Sequence, residues 1–202
     1  MVEAERIVYT VGHSTHPLEH FFSLLRAHGI TAICDVRSTP YSRLNPQYNR
    51  EALKYVLKER GFTYVFLGVE LGARSDDRAC LESGRIRYEL VSRTELFRAG
   101  IKRVREGTKQ FRVALLCAEK EPMECHRSIL VSRHLEKSGL EVRHIHANGG
   151  WESQAALMQR VLLDLKLPPE DLFRSPAEMV EHAYELQGAR LCYAPEEART
   201  SA

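Results

Sequence analysis

The sequence has little of what marks a membrane protein, a secreted protein or a general nucleic-acid binder. No apolar run approaches the roughly 18 to 20 residues that a helix needs to cross a bilayer, and the acidic residues 1–6 are not typical of a secretory signal. A net charge of only +2 gives no reason to expect general binding of nucleic acid. Five cysteines, an odd number at irregular spacings, do not suggest a disulfide framework. These absences predict a soluble cytoplasmic protein.

The segments that are present alternate between two kinds of pattern. Short β-branched and apolar runs predict strands over residues 7–11, 30–36, 63–67, 111–116 and 141–145. Between them, helical spacing of apolar residues predicts helices over about 18–29, 50–60, 93–106 and 127–137, the first capped by Thr15 or Ser14. This alternation predicts an α/β fold: a mostly parallel sheet of about five strands with helices on both faces, plus C-terminal helices.

The chain divides into a predicted α/β core domain, 1–148, and a helical C-terminal extension, 149–202. In the extension, helices are predicted over 151–165 and 175–186, the second begun by Ser175 and Pro176 as cap and first helical residue. We expect them to pack on the core or on a partner subunit, so a homodimer through these helices is one arrangement that the pattern allows. Residues 70–87, rich in Arg, Asp and Gly, predict an extended loop or lid.

Polar residues follow every predicted strand. Because the carboxyl ends of parallel strands meet at one edge of a sheet, we expect these side chains to converge on one crevice. The polar residues that the strands deliver include His13, Ser14, Asp35, Arg37, Ser38, Glu119, Lys120, Cys125, His126, Arg127, His144 and His146.

Cys125, His126 and Arg127 stand where a new helix is predicted to begin. A thiol there gains acidity from the helix dipole and from a neighbouring cation, which makes Cys125 a candidate nucleophile. A small apolar Cys also fills the gap where a helix start meets a sheet, so a structural Cys125 stays an alternative. Cys117, at the end of an apolar run, is predicted to line the core.

Arg37 and Arg127 are the main candidates for ligand binding, because an Arg that follows a buried segment needs a carboxylate or an external anion. Arg37 could pair with Asp35, Glu119 or Glu70 in an internal network, or the arginines could form a clamp for phosphate or carboxylate beside the helix N-terminus. The sequence leaves both interpretations open. The predicted ligand-binding set is Ser14, Asp35, Arg37, Ser38, Lys120, His126 and Arg127.

The candidates for catalysis are Glu119, Cys125 and His13. Glu119 is the best general acid/base candidate, with His13 next. No metal is predicted: the available Cys and His residues lack the spacings typical of zinc sites, and the side chains of the adjacent Cys125 and His126 are expected to diverge. The sequence identifies no cofactor.

Several segments together resemble a known family. They lie in order over about residues 7–146, and they are Thr10-Val-Gly-His-Ser-Thr-His-Pro-Leu18, Asp35-Val-Arg-Ser-Thr-Pro-Tyr-Ser42, Asn45-Pro-Gln-Tyr-Asn49, Tyr64-Val-Phe-Leu-Gly68, Leu116-Cys-Ala-Glu-Lys120 and Cys125-His-Arg127. In these segments the chain is similar to a widespread prokaryotic family, Domain of Unknown Function 488. The resemblance implies an α/β fold and a shared site built from these segments, and it implies no reaction.

The tripeptide Asp-Val-Arg at 35–37 also resembles the rhodanese-like domains, in which such a tripeptide supports an active loop. Rhodanese and the cysteine phosphatases bind an anion in a nest of backbone amides, with a Cys at a strand end and an Arg at a helix start. Here nine residues lie between Cys117 and Arg127, and one lies between Cys125 and Arg127. The spacing is therefore not the standard one.

Three functions follow as hypotheses, and the sequence does not decide whether the protein is an enzyme. The first is an enzyme that acts on an anionic, nucleotide-like or nucleic-acid-derived ligand in the crevice at the strand ends. The second is an accessory module that binds a nucleotide or nucleic acid there without turnover, helped by arginines beside the site. The third is rhodanese-like sulfur transfer through Cys125 or Cys117.

Overall fold

A six-stranded sheet lies at the centre of the computed structural model, which describes residues 6–168 and 170–193. In chain order the strands are β1 (Ile7–Gly12), β2 (Ala32–Asp35), β3 (Thr63–Phe66), β4 (Leu81–Glu82), β5 (Arg85–Ile86), β6 (Val113–Cys117), β7 (Glu141–Ile145) and β8 (Trp151–Ser153). The sheet has the order β3-β2-β6-β1-β7-β8, while β4 and β5 form a separate hairpin. Five neighbouring strands are parallel, and β8 runs antiparallel to β7 at the edge.

Helices cover both faces of this sheet. They are α1 (Leu18–Ala27), α2 (Arg50–Glu59), α3 (Gly68–Leu71), α4 (Tyr88–Val91), α5 (Glu95–Gly107), α6 (Arg133–Lys137), α7 (Gln154–Asp164) and α8 (Pro176–Leu191). A π-helical segment, Arg127–Ser132, leads directly into α6. Side chains of α1 and α2, such as Phe21 and Leu57, form one buried cluster, and those of α5 to α8, such as Phe97 and Leu157, form the other. The predicted α/β fold with C-terminal helices is confirmed.

After the neighbouring strands β1 and β6, the chain continues on opposite faces of the sheet. The chain leaves β1 for α1, whose Phe21 belongs to the first cluster, and leaves β6 for α6, whose Leu135 belongs to the second. A crevice forms in open α/β sheets where neighbouring strands diverge in this way. The carboxyl ends of β1 and β6 therefore mark the expected site.

Two predictions about where helices begin differ from the structure. The segment from Trp151 begins as a strand that pairs with β7, and not as a helix. The helix α7 starts only at Gln154, because Ser153 caps it by accepting a hydrogen bond from Ala156 N at 3.1 Å. Neither Thr15 nor Ser14 caps α1, which follows Pro17 without a side-chain cap. Ser14 instead adopts a positive φ of 47° in the turn after β1.

The region predicted as an extended loop or lid, 70–87, holds a short 3-10 helix at Arg78–Cys80 and the hairpin of β4 and β5. Cys80 and Ile86 are buried there, and Ile86 N donates to Tyr193 O at 2.9 Å. The apolar side chains and this hydrogen bond hold the segment against the end of α8. In the described part of the chain, no helix combines the length and apolar character needed to cross a bilayer.

Candidate functional site

The loop that follows β6 lies directly over the end of β1. A Cβ atom at Gly12 would stand 1.8 Å from the Glu119 carbonyl oxygen, so only glycine permits this approach. The backbone N–H groups of His13 and Ser14 donate to the carbonyls of Cys117 at 3.0 Å and Ala118 at 2.9 Å. The β1 turn and the β6 loop are therefore joined through their backbones.

Two adjoining cavities open at these strand ends, of about 310 and 340 Å³. Both are lined by Arg37, Thr39, Ala118 and Glu119, where the two cavities meet. The first also contacts Ser38, Arg74, Cys117 and His126, and the second also contacts His13, Ser14 and Lys120. The two cavities together form one crevice at the strand ends.

Arg37 is held in place by its neighbours. Its Nε and Nη2 donate to Asp35 Oδ1 at 2.8 Å and Oδ2 at 2.6 Å, and its Nη1 donates to His13 Nε2 at 3.1 Å. Tyr64 OH donates to the same Asp35 carboxylate at 2.8 Å. A guanidinium has five N–H donors, so this network uses three of them and leaves two.

His13 is held as a neutral imidazole. Its Nδ1 donates to Ser14 O at 2.8 Å, which leaves Nε2 to accept from Arg37. The ring stacks on Tyr48 with 4.2 Å between centroids. Burial, and then the Arg37 charge, lower the pKa of His13 to about 4.

Arg127 is fully buried and lies behind the cavity walls. Its Nη1 donates to Glu119 O at 2.8 Å and its Nη2 to Lys120 O at 3.3 Å. Its Nε lies 3.4 Å from Thr10 Oγ1. The guanidinium therefore holds the backbone of the β6 loop in position.

Two thiols, a carboxylate and an imidazole meet beside this loop. One ligand-type atom from each of Cys117, Glu119, Cys125 and His126 lies within 4.8 Å of the others. Cys125 Sγ donates to Glu119 Oε2 at 2.9 Å. His126 Nδ1 lies 3.7 Å from Cys117 Sγ and 3.9 Å from Cys125 Sγ. We call these four residues the thiol cluster.

The expectation that Cys125 and His126 diverge is wrong. Cys125 is extended, with φ −134° and ψ 138°, whereas His126 is helical, with φ −59° and ψ −27°. This change of backbone conformation between adjacent residues brings both side chains to the same side. His126 Nε2 then donates to Val36 O at 3.0 Å, and Nδ1 faces the sulfurs.

The thiol cluster alters the acidity of its members. Burial opposes ionisation of Cys125, but the hydrogen bond with Cys117 and the Arg127 charge together lower its pKa. Burial and the neighbouring Cys125 raise the pKa of Cys117, and the same two causes raise the pKa of Glu119. Cys125 is therefore the more acidic of the two thiols.

Behind the crevice, a chain of hydrogen bonds runs through the second face of the sheet. Thr10 Oγ1 donates to His144 Nδ1 at 2.8 Å, and His144 Nε2 donates to Gln154 Oε1 at 2.6 Å. Gln154 Nε2 lies 3.1 Å from Ser128 O and 2.7 Å from Tyr184 OH. This buried chain connects β1 with the C-terminal helices.

The structure places most of the predicted site residues around the crevice. Those that line it are His13, Ser14, Arg37, Ser38, Glu119, Lys120 and His126. Asp35, Cys125 and Arg127 lie directly behind, where each contacts a lining residue. His144 is separate from the crevice and belongs to the buried chain.

Thr39 lines the crevice, although the sequence did not single it out. Arg74, one of the arginines expected to supply positive charge beside the site, lines the crevice too, and Cys117, which was expected to line the core, also faces the first cavity. Thr39 follows the Asp-Val-Arg segment closely enough for that position to have suggested it. Arg74 lies in the irregular region after α3, where no strand end indicates its place.

These features define an α/β protein with a mostly parallel sheet and a polar, thiol-containing crevice at the carboxyl ends of its strands. The chain belongs to the family described as Domain of unknown function DUF488, whose model matches residues 17–134. The family resemblance inferred from the motifs is confirmed. Neither the curated proteins nor the solved structures contain a match to the chain.

Proposed function

We propose that the protein is an enzyme that acts on an anionic, nucleotide-like ligand bound in the crevice. The observation that carries this proposal is the meeting of the two cavities at Arg37 and Glu119. A cation and a carboxylate there face the same space from the ends of neighbouring strands. Such an arrangement can hold an anion and place a reactive group beside it.

Three cations would contact the anion. Arg37 keeps two N–H donors beyond its bonds to Asp35 and His13. Lys120 lines the second cavity and Arg74 the first, where the Arg74 guanidinium lies 4.3 Å from the centroid of the Tyr193 ring. Arg37 thus combines the two interpretations that the sequence left open, because an internal network orients it while the residue lines both cavities.

Glu119 is the reactive carboxylate of this proposal. Its side chain is exposed to the crevice and lines both cavities, so it lies beside a ligand in either one. His13 acts through Arg37, which it orients, since both of its ring nitrogens are engaged. Ser14 and Ser38 add hydroxyl groups that could accept or donate hydrogen bonds to the ligand.

Calorimetric titration tests the binding step. Nucleoside monophosphates and inorganic phosphate are titrated into the wild-type chain and into Lys120→Ala and Arg74→Ala at low salt. We expect each substitution to weaken binding about tenfold or more, since a hydrogen bond to a charged group contributes about 1.5–3 kcal/mol. Lys109→Ala is the control, because Lys109 pairs with Glu106 at the end of α5. Equal affinities in all four proteins would contradict the proposal, as would no binding by the wild type.

Turnover separates an enzyme from an accessory module. Ligands that bind are incubated with the wild-type chain and with Glu119→Gln, and the mixtures are analysed by mass spectrometry. A product made by the wild type but not by Glu119→Gln, which still binds the ligand, supports the enzyme. Recovery of the bound ligand unchanged from the wild type supports the accessory module.

Sulfur transfer is a second candidate, favoured by the side-by-side thiols of Cys117 and Cys125. The backbone N–H of Arg127 lies 3.4 Å from Cys125 Sγ, which supports a thiolate there. If this candidate holds, the thiolate takes the outer sulfur of thiosulfate and sulfite leaves, so the wild type and Cys80→Ser gain the mass of one sulfur atom but Cys125→Ser does not. An unchanged intact mass of the wild type excludes it.

A further inference from the structure

We propose that Cys117, Cys125 and His126 bind one divalent cation of the zinc type, with the fourth coordination position open to the crevice beside Glu119. This site goes beyond the proposed function and does not depend on it. Its basis is that two sulfurs and one imidazole nitrogen lie within 4.8 Å of one another.

The donor atoms and their spacing fit such an ion. Thiolate and imidazole donors are the ligands that zinc prefers among the biological divalent cations. With Zn–S near 2.3 Å and Zn–N near 2.0 Å, a tetrahedral site places sulfur and nitrogen about 3.5 Å apart. His126 Nδ1 lies 3.7 and 3.9 Å from the two sulfurs, so a small contraction would bring both nitrogen–sulfur distances to this value, and the two sulfurs lie within 4.8 Å of each other.

The outer contacts of His126 also match those of a metal ligand. A zinc-bound imidazole usually donates its other ring N–H to a carbonyl or carboxylate, which fixes the ring and its tautomer. His126 Nε2 donates to Val36 O at 3.0 Å at the end of β2. The ring is therefore held with the lone pair of Nδ1 directed toward Cys117 and Cys125.

Charge balance supports the same conclusion. Two thiolates and the Glu119 carboxylate carry three negative charges, and a divalent cation with the buried Arg127 carries three positive ones. Arg127 is fully buried, and its backbone N–H lies 3.4 Å from Cys125 Sγ. A loaded site would thus leave no net charge on this set of groups, and the buried thiolates and the buried Arg127 would each lie near an opposite charge.

The open position follows from the side on which the crevice lies. Cys117, Glu119 and His126 all line the 310 Å³ cavity, while Cys125 lies behind them. A metal held by three protein ligands would therefore face the cavity. Three ligands with one position left for water or substrate is the arrangement of zinc sites that act in catalysis.

Cobalt substitution tests the site directly. The full-length chain is reduced, stripped with a chelator and titrated with Co²⁺, and the thiolate-to-cobalt charge-transfer band and the visible bands of tetrahedral cobalt are recorded. We expect both to saturate at one equivalent and to disappear when Zn²⁺ is added. Cys117→Ala, Cys125→Ala and His126→Ala should each lose the charge-transfer band or weaken cobalt binding at least tenfold. Cys80→Ala, which removes an equally buried thiol outside the cluster, should keep it.

The proposal would be overturned if the wild-type chain, with all five thiols reduced, gave no thiolate-to-cobalt band. A band retained in both Cys→Ala variants would overturn it as well. If a variant fails to fold, the melting temperature of the wild type with Zn²⁺ and with chelator decides, because a bound ion must raise it. Glu119→Ala should keep the cobalt band, so loss of turnover in that variant and loss of the metal site are separate outcomes.

Discussion

The Asp35 carboxylate is the most heavily bonded side chain beside the crevice. It accepts hydrogen bonds from Arg37 N, Nε and Nη2 and from Tyr64 OH. Asp35 is fully buried and Arg37 is 6% exposed, so little water can reach the pair and take the place of these hydrogen bonds. The orientation of the Arg37 guanidinium therefore depends on this one carboxylate.

Asp35→Asn should lower the free energy of unfolding by about 3–5 kcal/mol, because it leaves the Arg37 charge buried without its partner. Urea denaturation at neutral pH measures the change. Glu19→Gln is the matched control, since Glu19 pairs with Arg60 at the surface, where water screens the pair and its loss should change stability little. A similar loss in both variants would contradict the role given to Asp35.

His144 makes stability depend on pH. Burial, and then the Arg127 charge, lower its pKa from 6.5 to about 3. Protons therefore bind first to the unfolded chain, and stability should fall as the pH drops from about 6.5 toward about 3. This group alone contributes a slope of up to about 1.4 kcal/mol per pH unit.

Urea denaturation between pH 7 and pH 4 measures that slope in the wild type and in His144→Gln. The variant should be less stable at pH 7, because the bonds to Thr10 and Gln154 are altered, but its stability should fall less steeply with acid. His182→Gln, on α8, should keep the wild-type slope. Parallel curves for the wild type and His144→Gln would show that another group causes the acid sensitivity.

At the scale of elements, the crevice depends on how closely the β6 loop approaches the end of β1. Gly12→Ala would place a Cβ 1.8 Å from Glu119 O, and the backbone would have to move. We expect a loss of about 1–3 kcal/mol in unfolding free energy together with weaker anion binding. Gly107→Ala is the control, because its Cβ would meet only Val113 Cγ2, at 3.9 Å.

Calorimetry and urea denaturation of the two glycine variants check this prediction. The Gly107→Ala chain should bind anions as the wild type does and be as stable or slightly more stable, since alanine favours a helix. Wild-type binding by Gly12→Ala would mean that the position of the β6 loop does not matter for the ligand.

At the scale of the whole molecule, the C-terminal helices complete the second face of the sheet. Leu157 of α7 and Ala183 of α8 are fully buried in the same cluster as Val8 of β1. Gln187 Nε2 on α8 donates to Met123 O in the β6 loop at 2.8 Å. The division into a core domain and an extension, and a homodimer through these helices, stay predictions.

A chain that ends at residue 148 tests the predicted domain boundary. Removal of α7 and α8 exposes several buried apolar side chains, each contributing about 1.5–3 kcal/mol, against a total stability of about 5–15 kcal/mol for a typical domain. We expect no cooperative thermal transition by circular dichroism. A cooperative transition in the truncated chain would show that 1–148 folds independently.

Local patterns were enough to predict the sheet and the crevice at its strand ends. The β-branched runs at 7–11 and 141–145 became β1 and β7 because short runs of this kind, one ended by Gly12 and the other preceded by Gly139, have few other stable arrangements. The edge strand β8 is three residues long, which is too short for an alternation of apolar and polar residues to indicate a strand. The contact between Thr10 and His144 spans 134 residues, and no local pattern encodes it.

The thiol cluster shows the same limit within a single dipeptide. The sequence placed Cys125 and His126 at a helix start, but the direction of their side chains depends on the change from extended to helical dihedral angles between them. That change is imposed by Pro122 and the 3-10 turn before Cys125, together with the bond from His126 to Val36. Residue types alone therefore placed Cys125 and His126 beside the crevice and left the direction of their side chains open.

The two carbonyls held by Arg127 also affect how quickly a ligand could bind. Glu119 O and Lys120 O are fixed to a buried guanidinium, so the backbone that carries both side chains has its final form before any ligand arrives. Association would then need no slow opening step, and its rate would be set by diffusion and by the attraction of Lys120 and Arg74 for the incoming anion.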